Sequence, residues 1–157
     1  MQTTLQPTLQ AQDVMTEGLA LCTPETPLSE VSALMVRYDC GAIPVVESLR
    51  SERLVGIVTD RDITCRTLPE GLDPLTMTAG QVMSQPVITA TPGTPFRECV
   101  ARMEQAQVRR LPVVDAEGRI CGIIAQADVA NTNPGLRTGA MVERISDPIP
   151  TASAVPT

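Results

Sequence analysis

The stretch GIVTDRDI, residues 56–63, returns as GIIAQADV, residues 122–129. The glycine, the two β-branched residues after it and the aspartate keep their spacing, while Thr59 is replaced by Ala125. In each copy a β-branched run with strand character passes straight into a polar stretch that opens a helix. A strand-to-helix corner that occurs twice points to a chain built by duplication.

Outward from this pair the duplication extends over most of the sequence. An offset of 68 residues sets Val14 and Met15 on Val82 and Met83, and TPETP (23–27) on TPGTP (91–95). It also sets Glu30, Ala33 and Met35 on Glu98, Ala101 and Met103, and IPVV (43–46) on LPVV (111–114). The turn that follows is two residues shorter in the second copy, so the corners align at an offset of 66.

Each copy reads as strand, helix, strand, strand, helix. Thr26 and Thr94 stand where an N-cap belongs, and each precedes a proline suited to a first helical turn. Leu28, Val31, Leu34, Met35 and Tyr38 recur at helical spacing, as do Phe96, Val100 and Met103. AIPVV and LVGIV flank ESLRSER, and LPVV and ICGII flank DAEGR, where Gly118 can supply a left-handed turn residue. The fold class is α/β (α+β), with two pseudo-symmetric β-α-β-β-α repeats packed sheet to sheet.

The repeats are set at residues 11–66 and 79–133, joined by the linker TLPEGLDPLTMT (67–78). Residues 134–157 then hold a short helix at GAMVERI (139–145) and a tail, DPIPTASAVPT. A unit of about 60 residues with few large side chains has a thin core, so each sheet needs its twin to cover it.

Composition removes several function classes. Twelve basic against eighteen acidic residues give a net charge of −6, which opposes binding to nucleic acid or to anionic membrane surfaces. Phe96 and Tyr38 are the only aromatic residues in the 157-residue chain, so stacking platforms for bases are lacking and the core is aliphatic. No apolar run approaches the roughly 20 residues of a membrane span, and the expected location is the cytoplasm. The chain has no histidine, which removes His-based metal sites, triads and general bases. Five scattered cysteines without a CxxC suit a reducing compartment, with Cys22 and Cys40 the pair to consider for any disulfide. Met15, Met35, Met83 and Met103 fall at equivalent repeat positions and read as core or interface filler rather than metal ligands.

The first corner carries chemistry. Thr59 at a helix start lies beside unpaired N–H groups suited to phosphate. Asp62, in the first turn, has two oxygens able to accept both hydroxyls of a ribose. Gly56, without a side chain, would allow close backbone approach. The plainer reading is that Thr59 caps the helix and Asp62 complements its dipole. Arg109 and Arg110 read either as a solvated pair at a strand entrance or as phosphate partners. Arg61 either reaches phosphate or pairs locally with Asp60, the second being preferred.

The combination of DVMT and QVMS, TPETPLSEVSALM and TPGTPFRECVARM, the two xPVV strands and the two corners resembles the CBS domain pair, or Bateman module, over residues 11–133. That resemblance, strongest to stand-alone bacterial members, implies a site between the units for an adenosine-containing ligand: AMP, ADP, ATP, NAD or S-adenosylmethionine. Carried onto this sequence, site 1 combines Thr59 and Asp62 with Ile88, Thr89, Arg110, Leu111 and Pro112, with Arg61 and Arg109 as further phosphate contacts. Site 2 combines Asp128 with Leu21, Cys22, Ala42, Ile43 and Pro44. Ala125 departs from the family pattern. Loss of a hydrogen bond to a charged group, worth about 1.5–3 kcal/mol, makes site 2 the weaker one. The resemblance further implies a homodimer and an effector protein acted on in trans. A structural dimerisation module with decayed sites is the alternative, and nothing in the sequence supports an enzyme or a resident metal.

Overall fold

The structure, a computed structural model, describes residues 8–132; the helix anticipated at 139–145 and the tail after it lie outside the described residues. In chain order the elements are α1 (Ala11–Val14), α2 (Leu28–Arg37), β1 (Ala42–Val46), β2 (Leu54–Thr59) and α3 (Asp60–Thr67). Two short 3-10 turns, Leu68–Glu70 and Pro74–Thr76, carry the chain to α4 (Ala79–Val82), α5 (Phe96–Ala106), β3 (Arg110–Val114), β4 (Ile120–Ala125) and α6 (Gln126–Thr132).

β1 and β2 pair antiparallel from Ala42↔Thr59 to Val46↔Leu54, and β3 and β4 repeat the arrangement from Arg110↔Ala125 to Val114↔Ile120. The register shifts at the same place in both, between Val45 and Val46 and between Val113 and Val114. The anticipated first strand of each repeat shrinks to a single parallel bridge, Cys22↔Val45 and Ala90↔Val113. The ladder stops there because the next amides turn inward: Thr23 N–H donates to Thr26 Oγ1 at 3.0 Å, and Thr91 N–H to Thr94 Oγ1 at 2.9 Å.

Those same bonds correct the placement of the helix caps. Thr26 and Thr94 close the preceding turn, and the N-cap positions fall one residue later, on Pro27 and Pro95. The first helical amides are satisfied from far along the chain: Leu28 N–H donates to Met77 O and Phe96 N–H to Leu9 O.

These long-range bonds belong to an exchange of elements. α1 opens the first sequence repeat, yet Ala11 N–H donates to Thr94 O at 2.9 Å and Thr16 pairs with Ile123 of β4. α4 opens the second repeat, yet Ala79 N–H donates to Thr26 O at 2.9 Å and Ser84 pairs with Ile57 of β2. The two cores follow this pairing. Ala11 joins Phe96, Cys99, Met103, Leu111 and Ile124, whereas Ala79 and Val82 join Leu28, Val31, Ile43 and Val58.

The glycines of the two corners serve the exchange. A Cβ on Gly56 would lie 2.5 Å from Met83 Sδ, and one on Gly122 would lie 2.7 Å from Met15 Sδ. The space that seemed open to a ligand at Gly56 is filled by methionine. Met15 and Met83 are thus the interface filler their repeat positions suggested.

The hairpin ends join the halves directly. Leu54 N–H donates to Gly118 O and Ile120 N–H to Glu52 O, both at 3.0 Å, around an Arg53↔Arg119 bridge. Arg53 and Arg119 are themselves equivalent at the 66-residue offset, so they mark the pseudo-twofold axis. Gly118 has φ +80° as its turn position anticipated, and its counterpart Glu52 adopts φ +53°.

Candidate functional site

β2 ends at Thr59 and α3 begins at the next residue, so the corner read from GIVTDRDI is present. Thr59 Oγ1 accepts Asp62 N–H at 3.1 Å, while Asp62 Oδ2 accepts both Thr59 N–H and the Thr59 hydroxyl at 2.9 Å. This is a reciprocal capping box. The other carboxylate oxygen faces the second repeat: Ser84 Oγ donates to Asp62 Oδ1 at 3.3 Å, and Arg66 Nε lies 3.6 Å from it. Arg66 also donates to Met83 O and to Ser84 Oγ, each at 3.0 Å. Sequence reading missed Arg66 and Ser84. Position i+4 from Asp62 on a helix was the available signal for Arg66; nothing local announced Ser84.

Arg110 reaches this corner from β3. A Cβ on Gly41 would lie 3.2 Å from Asp60 Oδ2 and 3.7 Å from an Arg110 Nη, so both charged groups lean over Gly41. Asp60 N–H donates to Gly41 O at 3.1 Å, which ties the start of α3 to the entrance of β1. Arg61 is exposed, and its link to Asp60 is a backbone N–H to Oδ1 at 2.8 Å instead of the anticipated side-chain ion pair. Arg109 belongs to the other corner, where its carbonyl accepts Gln126 N–H at 3.0 Å. Arg110 brings one guanidinium nitrogen beside Gly41 and donates from the other to Arg109 O at 3.2 Å.

The remaining site 1 residues divide. Ile88, 47% exposed, and Thr89 line an open hollow of about 590 Å³ with Arg102, Gln105 and Ala106. Arg102 fixes one wall by donating to Thr89 O at 2.6 Å and pairing with Glu98. Leu111 is fully buried in the core beside Phe96, and Pro112 is buried on the opposite face of β3. The Leu111 side chain is therefore part of that core.

At the second corner Asp128 Oδ2 accepts Ala125 N–H at 2.7 Å, which preserves half of the capping box without a hydroxyl to complete it. Leu21 lines a hollow of about 250 Å³ with Gly18, Leu19, Glu52, Ile120 and Cys121. That hollow adjoins the start of β4, while Asp128 follows its end, a strand length of roughly 17 Å away. Cys22 and Ile43 are core residues, at 2% and 0% exposure, and Ala42 and Pro44 are buried on the other face of β1. Cys22 Sγ contacts Pro44 O at 3.8 Å; burial first, and the charge of Glu30 second, push its thiol up to about 12. Of the site 2 residues, Leu21 lines the hollow at the start of β4. All five cysteines are free, and no group of three metal-ligating side chains occurs among the described residues.

Two exchanged halves, each with an antiparallel hairpin running into a capped helix, define a duplicated α+β module, and the chain belongs to the CBS domain family. The family model for the CBS domain matches residues 11–66 and 79–133. Among relatives, Hypoxic response protein 1 of Mycobacterium tuberculosis is 34% identical over 143 residues, covering 91% of this chain and 98% of that protein. The CBS domain-containing protein YhcV of Bacillus subtilis is 38% identical over 119 residues, covering 76% of this chain and 81% of that one.

The crystal structure of Hypoxic Response Protein I with two coordinated zinc ions superposes at a TM-score of 0.71, with 34% identity over 80% of this chain and all of that one. CBSX2 in complex with AMP gives a TM-score of 0.67 at 25% identity, covering 78% of this chain and 94% of that chain.

Proposed function

We propose that this protein is a regulatory module that binds an adenosine-containing ligand at the corner formed by Thr59 and Asp62. The observation that carries this reading is the meeting of both repeats there: Ser84 and Arg110, from the second repeat, reach Asp62 and the Asp60–Gly41 contact of the first. A carboxylate and a helix start on one side, with a guanidinium on the other, form a donor and acceptor set suited to a ribose phosphate. The AMP held by CBSX2 supports the ligand class. AMP, ADP, ATP, NAD and S-adenosylmethionine share the adenosyl group that the corner would hold.

In this reading the ligand clamps the two halves, and its higher affinity for one arrangement shifts the molecule's preference for a partner. A homodimer and an effector protein engaged in trans follow as parts of the proposal, with the cytoplasm as the setting. No helix among the described residues is long and apolar enough to cross a membrane. No catalytic role is proposed.

A second reading, a dimerisation module without a ligand, has one observation in its favour: Thr59 and Asp62 already cap α3. Thermal unfolding of the wild type and Asp62→Ala with each of the five ligands separates the two. A nucleotide-binding module melts higher with at least one ligand, by RT ln(1 + [L]/Kd) in free energy, and Asp62→Ala loses that response. If every melting curve stays in place at millimolar ligand, the dimerisation reading stands instead.

A further inference from the structure

The carboxylate of Asp62 has about one acceptor position to spare, three being taken by hydrogen bonds. Oδ2 takes the Thr59 amide and hydroxyl at 2.9 Å, and Oδ1 takes the Ser84 hydroxyl at 3.3 Å with Arg66 Nε at 3.6 Å. A carboxylate offers about four lone-pair sites, so a ribose diol with two O–H donors must displace at least one of these hydrogen-bond partners. The Oδ1 pair is the weaker, because its distances are the longer ones and the Arg66 side chain is 47% exposed.

Arg66 ties that side of the carboxylate to the exchanged segment. Its guanidinium holds Met83 O and Ser84 Oγ, each at 3.0 Å, just beyond α4. The second half has no such tie. Thr132, at the place of Arg66, spends its hydroxyl on Asp128 O, and Thr16, at the place of Ser84, meets Ile123 through backbone bonds.

Resting on the ligand site proposed above, we infer that Arg66 and Ser84 form a latch that competes with ribose for Asp62. The latch sets the affinity of the first corner and couples its occupancy to the hold on the Met83–Ser84 segment. Ligand entry removes the side-chain part of that hold, leaving the Ser84–Ile57 backbone pair in place, on one side of the pseudo-twofold axis only, so a symmetric fold gives an asymmetric response.

The test is calorimetric titration of AMP into the full chain as wild type, Arg66→Ala and Ser84→Ala, with a thermal melt of each. A latch predicts that Arg66→Ala binds AMP about threefold to tenfold more tightly although it melts lower, the converse of what lost packing alone would do. Ser84→Ala should shift the same way. Tighter binding in the variants where the wild type is silent is the latch in its strongest form. Unchanged or weaker binding by both variants, beside a wild type that binds, overturns the latch and leaves the ligand site standing. Absence of binding in all three proteins, to AMP and to each of the other four adenosyl ligands titrated in its place, overturns both.

Discussion

Thr59 and Ala125 occupy the same place in two helix starts, and the hydroxyl that separates them has a definite task. At Thr59 it accepts the Asp62 amide at 3.1 Å and returns its own proton to Asp62 Oδ2; at Ala125 only the backbone half of the exchange remains, a 2.7 Å bond to Asp128. Thr59→Ala should therefore cost about 1 kcal/mol, and Ala125→Thr should add about 0.5–1 kcal/mol by completing the second box. Urea unfolding checks both, with the midpoint moving and the slope unchanged. Loss of stability on Ala125→Thr would mean that the second corner cannot seat the side chain. The T-x-x-D spacing made Thr59 and Asp62 legible in the sequence because a capping box is a local device. Arg66 and Ser84 were not legible as a group: 18 residues separate the partners of their hydrogen bond, and nothing in either neighbourhood requires the other.

At the scale of elements, the long helices followed from their 3.6-residue apolar periodicity, and the hairpins from short β-branched runs on either side of a turn segment. Two readings shifted for a physical reason. The first strands dwindled to bridges because Thr23 and Thr91 turn their amides onto Thr26 and Thr94, the residues that had been assigned to cap α2 and α5. The seating of α4 on β2 was hidden, although the glycine that permits it was visible as part of the repeat. Gly56→Ala brings a Cβ to 2.5 Å from Met83 Sδ and 3.1 Å from its Cγ, so the methionine must repack at about 1–3 kcal/mol. Gly122→Ala should cost more, because its new Cβ meets not only Met15 but the backbone carbonyl of Thr16 at 3.0 Å. Chemical unfolding of the two variants tests this order. A Gly56→Ala/Met83→Ala double variant should lose less than the two single changes summed, since the clash is removed with the side chain that causes it. Simple additivity would show that the methionine does not seat against this glycine.

The whole molecule is a duplication whose sequence units and packing units differ. Repetition in a sequence reveals which segments are equivalent; it does not reveal which copy an element packs against, because α1 and α4 present the same VM pair to either hairpin. In the structure each goes to the hairpin of the other repeat, and each core holds buried residues from the exchanged helix, Ala11 in one and Ala79 with Val82 in the other. Cutting the chain after Gly71 therefore takes α4 from the first hairpin and α1 from the second. Residues 1–71 alone leave Leu28 N–H without the Met77 carbonyl, and residues 72–157 alone leave Phe96 N–H without Leu9 O. Each fragment also loses the methionine that fills its corner glycine. Neither fragment should melt cooperatively by itself, and an equimolar mixture should recover near-native circular dichroism with a single, concentration-dependent transition. Two fragments that each fold alone would show that the exchanged helices decorate two finished cores. Failure of the mixture to recover structure would place the decisive contribution in the covalent linker, whose closure keeps the exchanged helices at high effective concentration.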